Sequence, residues 1–347
     1  MARVPIGKAQ TVENWEQLPD EEILRFRIKD FKLQIAGSVL ESFVERLYEE
    51  LANKGMRFRP PCYLADEWLC PDRVPIIGIP FWLAHPRLKA IEQKMMFEVE
   101  GGTEDSCMKL LRHECGHAVN YAYELYRRTR WRELFGPFTS NYSNSYYYQP
   151  YSKRYVIHLE DGYAQAHPDE DFAETFAVWL APDSRWEDKY GDWPVIRKLR
   201  YVDRLIKKIA EKPPVHSVRQ RPPWAASRMV STLAAYYERR RKVLGSSFLG
   251  YYDESLKTVF SSARTAPASA RASSLLRRNR RRIVDNVARW TGHRKYDVYQ
   301  LVNKLIARCD ALKLYAADGD LNDIVGITAF VTAIASNALR AERGSKR

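Results

Sequence analysis

The stretch Lys109–Tyr126, KLLRHECGHAVNYAYELY, decides how this chain is read. Two of the seven histidines, His113 and His117, stand four apart, and Glu114 follows the first. Residues i and i+4 of an α-helix share a face, so both imidazoles can reach one ion. Glu114 falls about 100° round the helix from His113. Its carboxylate can stand beside an ion without ligating it and take a proton from water. Zinc suits two neutral imidazoles plus one carboxylate, with a fourth position left open. The motif arises by chance in roughly one such chain in fifty, so its surroundings must carry weight. The plain alternative is a pair of partly exposed histidines with no ligand.

Those surroundings predict a helix over residues 103–130. Thr103 can cap it, Glu104 and Asp105 suit the positive end of its dipole, and Arg127, Arg128 and Arg130 suit the negative end. Cys107, Leu110, Leu111, Ala118, Ala122 and Leu125 form the expected buried stripe. A metzincin-type third ligand would need glycine and histidine three and six residues after His117; Asn120 and Tyr123 stand there. The other common solution is a carboxylate on a second helix. HPDEDFAETFAVWLAP, residues 167–182, supplies one: Pro168 opens it, acids fill its first turn and Pro182 ends it. Glu170 and Glu174 share one face, opposite Phe172, Ala173, Phe176, Ala177 and Leu180. His167, just before Pro168, is a rival ligand.

Outward from these helices the chain has 347 residues, 45% hydrophobic, enough for one large or two modest domains. It lacks an apolar run of membrane-spanning length and a signal-peptide core near residue 1, which predicts a soluble cytoplasmic protein. The five cysteines form no C-x-x-C, which argues against a disulfide framework or a thiolate zinc knuckle. Net charge is +13, and Arg264–Arg282 holds seven arginines and no acid. Read plainly, that segment is a solvated linker leading into a basic helix face.

The expected organisation is a polar lead-in over 1–30, a domain over 31–211 that carries both helices, a proline-rich linker over 212–224, and an α-helical region over 225–347 with its basic segment at 264–282. Strands are expected at Phe31–Ile35, Cys62–Leu64, Val74–Ile79 and in MFEVEGG (96–102). Between the first two lies a helix capped by Ser38, with Val39, Phe43, Leu47 and Leu51 inward, stopped at Gly55. A short helix is expected over 84–96. VPIIGIPF (74–81) could be a rim strand that an extended peptide joins. Tyr142, Tyr146, Tyr147, Tyr148 and Tyr151 could cover a cleft. Ordinary packing competes with both ideas.

YAQAHPDEDFAETF, residues 163–176, resembles the third-ligand segment of gluzincin metallopeptidases of the anthrax lethal-factor type. There a tyrosine is followed seven residues on by a ligand glutamate and four further by a second glutamate. A nearer resemblance, over about residues 31–210, is to the bacterial "putative zinc-binding metallopeptidase" family with its H-P-x-E-D-[FW]-A-E-T-[FW]-A helix. The resemblance implies an α+β, zincin-like core, with a small twisted sheet over the H-E-x-x-H helix and a second ligand helix. It implies Zn²⁺ held by His113, His117 and Glu170, with Glu170 preferred over His167. It makes Glu114 the general base. Tyr163 becomes the hydroxyl that donates to the oxyanion, and Glu174 the acceptor that orients a ligand histidine. The substrate would be a peptide or protein. Behind this stand two other possibilities. One is a helical module for nucleic acid or another acidic partner, with a structural or vestigial zinc site. The other is zinc chemistry on a non-peptide amide.

Overall fold

A computed structural model describes residues 14–141, 149, 151–216, 222–244, 252–263, 270–316 and 320–344. They are mostly helical, with one small parallel sheet of two strands. They fall into two compact units: residues up to 95 with 99–141 and 149–237, and residues 96–98 with 238–344.

The first unit holds α1 (Asp20–Ile23), α2 (Val39–Asn53), β1 (Cys62–Ala65), β2 (Ile77–Pro80), α3 (Pro86–Met96), α4 (Glu104–Ala122), α5 (Thr129–Phe135), α6 (Pro168–Leu180), α7 (Trp186–Tyr190), α8 (Ile196–Ile209) and the start of α9 (Leu233–Leu244). Helix α4 is its axis. Thr103 caps it in a reciprocal box with Ser106, which satisfies donors that the first turn leaves open. Burial runs from Cys107 to Ala122 on every side except Lys109, so no polar face is left to water. The helix stops at Ala122 rather than Arg130. Glu124 turns left-handed (φ 47°), and the arginines fall on the 3₁₀ turn and α5 that follow. Helix α2 packs on α4 through Leu40, Val44, Leu47 and Leu51, one residue out of phase with the expected stripe at its start, and Val39 is exposed. Glu50 is buried with them because Arg112 of α4 grips it by two hydrogen bonds of 2.6 and 2.7 Å.

Two expected strands are absent. Ile28–Phe31 is a 3₁₀ turn, and Lys32 is left-handed (φ 51°). Instead, Arg27 pairs antiparallel with Thr232. Residues 96–102 hold turns at Phe97 (φ 67°) and Gly101 (φ 74°), and the Phe97 ring stacks 4.1 Å from that of Tyr299. Alternating apolar residues signal one buried side, but a strand also needs a partner for its backbone. The β1–β2 pair supplies one, in parallel register from Cys62↔Ile77 to Ala65↔Pro80. β2 lies against α4, is fully buried, and meets Leu69 in an antiparallel bridge at Gly78 on its other side. Flanked on both sides, VPIIGIPF is not an open rim for a peptide. Of the expected tyrosine cover, Tyr142, Tyr146, Tyr147 and Tyr148 lie outside the described residues, and Tyr151 is exposed. The proline-rich stretch is tied to this unit: the N–H groups of Val215 and His216 donate to Ala122 O, and Tyr63 donates to Pro223 O.

The second unit contains the rest of α9, then α10 (Asp253–Val259), α11 (Ala272–Thr291), α12 (Lys295–Ala311) and α13 (Asp320–Gly344). Leu275, Leu276, Ile283 and Val287 of α11 share a core with Val298, Leu301, Leu305, Ile327 and Val331. Gly292 (φ 69°) ends α11 in the left-handed conformation that favours glycine, and α12 starts three residues later.

Candidate metal centre

The site forms where α4 and α6 cross in opposite directions. Gly116 makes the crossing close: a Cβ there would sit 2.8 Å from Ala173 Cα and 3.0 Å from its carbonyl oxygen. On α4, His113 and His117 occupy one face four residues apart; on α6, Glu170 and Glu174 do the same. The capping of α6 sets Glu170 in place. The His167 side chain accepts from Asp169 N, Pro168 occupies the first turn, and the positive helix end favours the carboxylates that follow.

Three donor atoms converge. His113 Nε2 lies 3.0 Å from Glu170 Oε2, His117 Nε2 lies 3.2 Å from the same oxygen, and the two nitrogens are 3.1 Å apart. Ligands held tetrahedrally at zinc distances of about 2.0–2.1 Å would stand roughly 3.3 Å apart. The opposite ring nitrogens face carboxylates. His113 Nδ1 is 2.7 Å from Glu174 Oε1, and His117 Nδ1 is 3.0 Å from Asp169 Oδ2. With Nδ1–H donating to each acid, both Nε2 lone pairs and the Glu170 oxygen point at one spot. Three acceptors so placed repel one another unless a cation stands between them. This donor set fits a zinc ion, and the three residues are the group among the described residues placed so that it could hold one.

The local field asks for positive charge. Burial by itself lowers the His113 pKa, yet the Glu170 and Glu174 carboxylates outweigh it and raise it to about 10. Burial likewise opposes charge on His117, but Asp169 and Glu170 raise its pKa well above the usual value. Burial pushes the Glu170 pKa up, while the two imidazoles overcome that and hold it well below the carboxylate range. Glu114 is dominated by burial, which raises its pKa to about 7 against the pull of His113 and His117. Among the described residues no hydrogen bond is formed by the Glu114 carboxylate, which faces a cleft of about 420 Å³.

That cleft is also lined by Trp68, Cys70, Tyr121 and Tyr163, together with all three converging residues. Tyr163, in a 3₁₀ turn over Glu160–Gln165, has its ring 5.6 Å from that of His113. His167 stands apart from the cluster, with Nδ1 taken by Asp169 N and Nε2 donating to Ser140 O at 3.1 Å. A larger groove of about 500 Å³ beside Arg57–Arg59 and Glu211–Pro214 holds none of these groups, so donor chemistry rather than size picks the site.

Sequence reasoning missed Asp169. In the sequence it stands only among the acids that fill the first turn of the second helix. Besides His117, it accepts from Tyr121 OH at 2.5 Å and from Asn120 Nδ2 at 2.7 Å. The available signal was a demand: two ligand histidines need two acceptors, and Glu174 reaches only one of them.

The geometry is therefore that of a two-histidine, one-carboxylate metal centre shared by two helices, with one side open to a cleft. Residues 106–185 match the model of a family described as "Putative zinc-binding metallo-peptidase", a segment that contains every residue of the centre. No curated protein and no solved structure matches the chain. No helix among the described residues is long and apolar enough to cross a membrane.

Proposed function

We propose that this chain is a zinc-dependent, gluzincin-type metallopeptidase acting on peptide or protein substrates. The observation that carries this reading is the meeting of His113 Nε2, His117 Nε2 and Glu170 Oε2 within 3.0–3.2 Å, with both Nδ1 atoms already engaged by acids. A bound Zn²⁺ would polarise the scissile carbonyl and acidify a water. Glu114, buried at the cleft wall beside His113, accepts the proton of the attacking water and passes it to the leaving amine. Tyr163 donates its hydroxyl to the oxygen that gains charge. Glu174 and Asp169 fix the tautomer and ring orientation of His113 and His117.

The open side of the centre supports catalysis over a purely structural ion, since structural zinc sites are usually closed by four protein ligands. In the same reading the metallopeptidase domain is centred on residues 31–211, and the compact unit that holds it continues through the proline-rich stretch to residue 237, ahead of the helical remainder. Five unpaired thiols suit a reducing cytoplasm.

The test is paired. Metal analysis should return one zinc per chain, and Glu114→Gln should keep that zinc while losing peptide hydrolysis by at least 100-fold. A fully active Glu114→Gln protein removes the general base; a wild type that takes up no zinc removes the whole reading.

A further inference from the structure

Nearly all the net charge of the chain is in its last third. Residues 238–347 carry 22 Lys and Arg against 10 Asp and Glu, which is +12 of the total +13. Helix α11 sorts part of this charge onto one side. Arg278, Arg281, Arg282 and Arg289 recur at three-, four- and seven-residue steps, so they form one stripe, and all four are exposed. Arg281 is 95% exposed. From Arg278 to Arg289 the stripe spans about 16 Å. Its one acid, Asp285, is held by Lys295 at 2.7 Å and only loosely by Arg281 at 3.8 Å. In the last turn of the same helix Trp290 is 79% exposed. Two further arginines of the helix are committed inward or sideways: Arg277 pairs with Asp310, while Arg280 bonds Asn303 and lies over the Tyr299 ring.

Three kinds of acidic partner could meet such a face, and the surroundings separate them. A membrane surface would need the apolar side of α11, but Leu276, Ile283 and Val287 are spent in the core of the unit. An acidic protein would account for the charge and leave Trp290 without a role. Single-stranded nucleic acid uses both features. Guanidinium forks match phosphate oxygens, and an exposed indole offers a platform on which an unpaired base stacks. We propose that the arginine stripe of α11 binds single-stranded nucleic acid through phosphate contacts from Arg281, Arg282 and Arg289, with a base at the end of the bound strand stacking on Trp290, which flanks the stripe about 80–100° round from Arg282 and Arg289. This site is independent of the metal centre and stands whether or not the chain hydrolyses peptides.

The experiment measures binding of the full chain to a fluorescent 20-nucleotide single strand by anisotropy. Three phosphate contacts predict a slope near −2 in a plot of log affinity against log salt, hence about 100-fold weaker binding at 500 mM than at 50 mM salt. Arg281→Gln, Arg282→Gln and Arg289→Gln together should flatten the slope. Trp290→Ala should weaken binding about tenfold at fixed salt. Arg277→Gln, on the same helix but committed to Asp310, should change little. Equal affinity for a polyglutamate of the same charge, for a duplex, or for phosphatidylserine vesicles would overturn the proposal, as would indifference to Trp290→Ala. If the triple variant fails to fold, the wild-type salt series and Trp290→Ala decide the matter.

Discussion

Substituting Gly116 by alanine tests whether the helix crossing builds the centre. The new methyl would lie 2.8 Å from Ala173 Cα, 3.0 Å from its O and 3.3 Å from its C, where ordinary contact begins at 3.4 Å. Relief requires α4 and α6 to part by about 0.6 Å at the crossing, because the obstacle is helix backbone and not the end of a flexible side chain. Alanine raises helix propensity by up to about 1 kcal/mol over glycine. Overpacking a dense interior costs about 1–3 kcal/mol, so the net effect should be destabilising by about 1–2 kcal/mol. For a unit of this size that is a fall in Tm of roughly 2–8 °C. The effect on metal should be larger, since sites hold their ligands to within about 0.2 Å. Zinc affinity, measured by competition with a chromophoric chelator, should drop at least tenfold. Adding Ala173→Gly should not rescue it, because the clash is with Ala173 backbone atoms and not its methyl. A Gly116→Ala protein with unchanged Tm and unchanged zinc affinity would refute the close-crossing account.

Other perturbations test separate links. Asp169→Asn should lower zinc affinity by about 10–100-fold, while His167→Ala should cost about 1 kcal/mol of stability through the lost cap and leave zinc binding intact; a chelator titration of both distinguishes them. Zinc at a hundred times its dissociation constant should stabilise the metal-free protein by about 2.7 kcal/mol, visible as a concentration-dependent rise in Tm. Arg112→Met leaves the buried Glu50 with only the 3.5 Å contact from Arg46 and should cost about 3 kcal/mol by urea unfolding. The hydrogen bond from Lys94 and the nearby Arg87 charge hold the Asp20 carboxyl below its usual value of 3.8. A depressed folded pKa means this contribution is fully present above pH 3.8 and is lost as pH falls through the folded value. Asp20→Asn should therefore reduce the steepness of acid unfolding in that window, and an unchanged acid limb would show that the ion pair is idle.

Much of the centre was legible before any coordinates, because the relevant signals are local. Thr103, Pro168 and Pro182 mark helix ends, and i to i+4 spacing puts His113 with His117 and Glu170 with Glu174. Strand assignments fared worse. Phe31–Ile35 and Met96–Gly102 show apolar alternation but pair with no strand among the described residues, and strand partners are not written in a short window. The α2 stripe starts at Leu40 and not at the expected Val39, because periodicity fixes a spacing and only weakly a phase.

What the sequence alone determined is the chemistry on offer: two imidazoles and a neighbouring acid on one helix, with candidate carboxylates on another. Helix rise and rotation dictate that much for any chain with those letters. The tertiary structure decided which atoms meet. Gly116 against Ala173 sets the approach of the helices, and their opposite directions pair His113 with Glu174 and His117 with Asp169. It also buried α4 on nearly every side, so the histidines lie in the interior, where an unshared charge is expensive. Spacing along a helix constrains residues a few positions apart. A contact across more than fifty residues depends on how two surfaces pack, and that depends on the whole core at once.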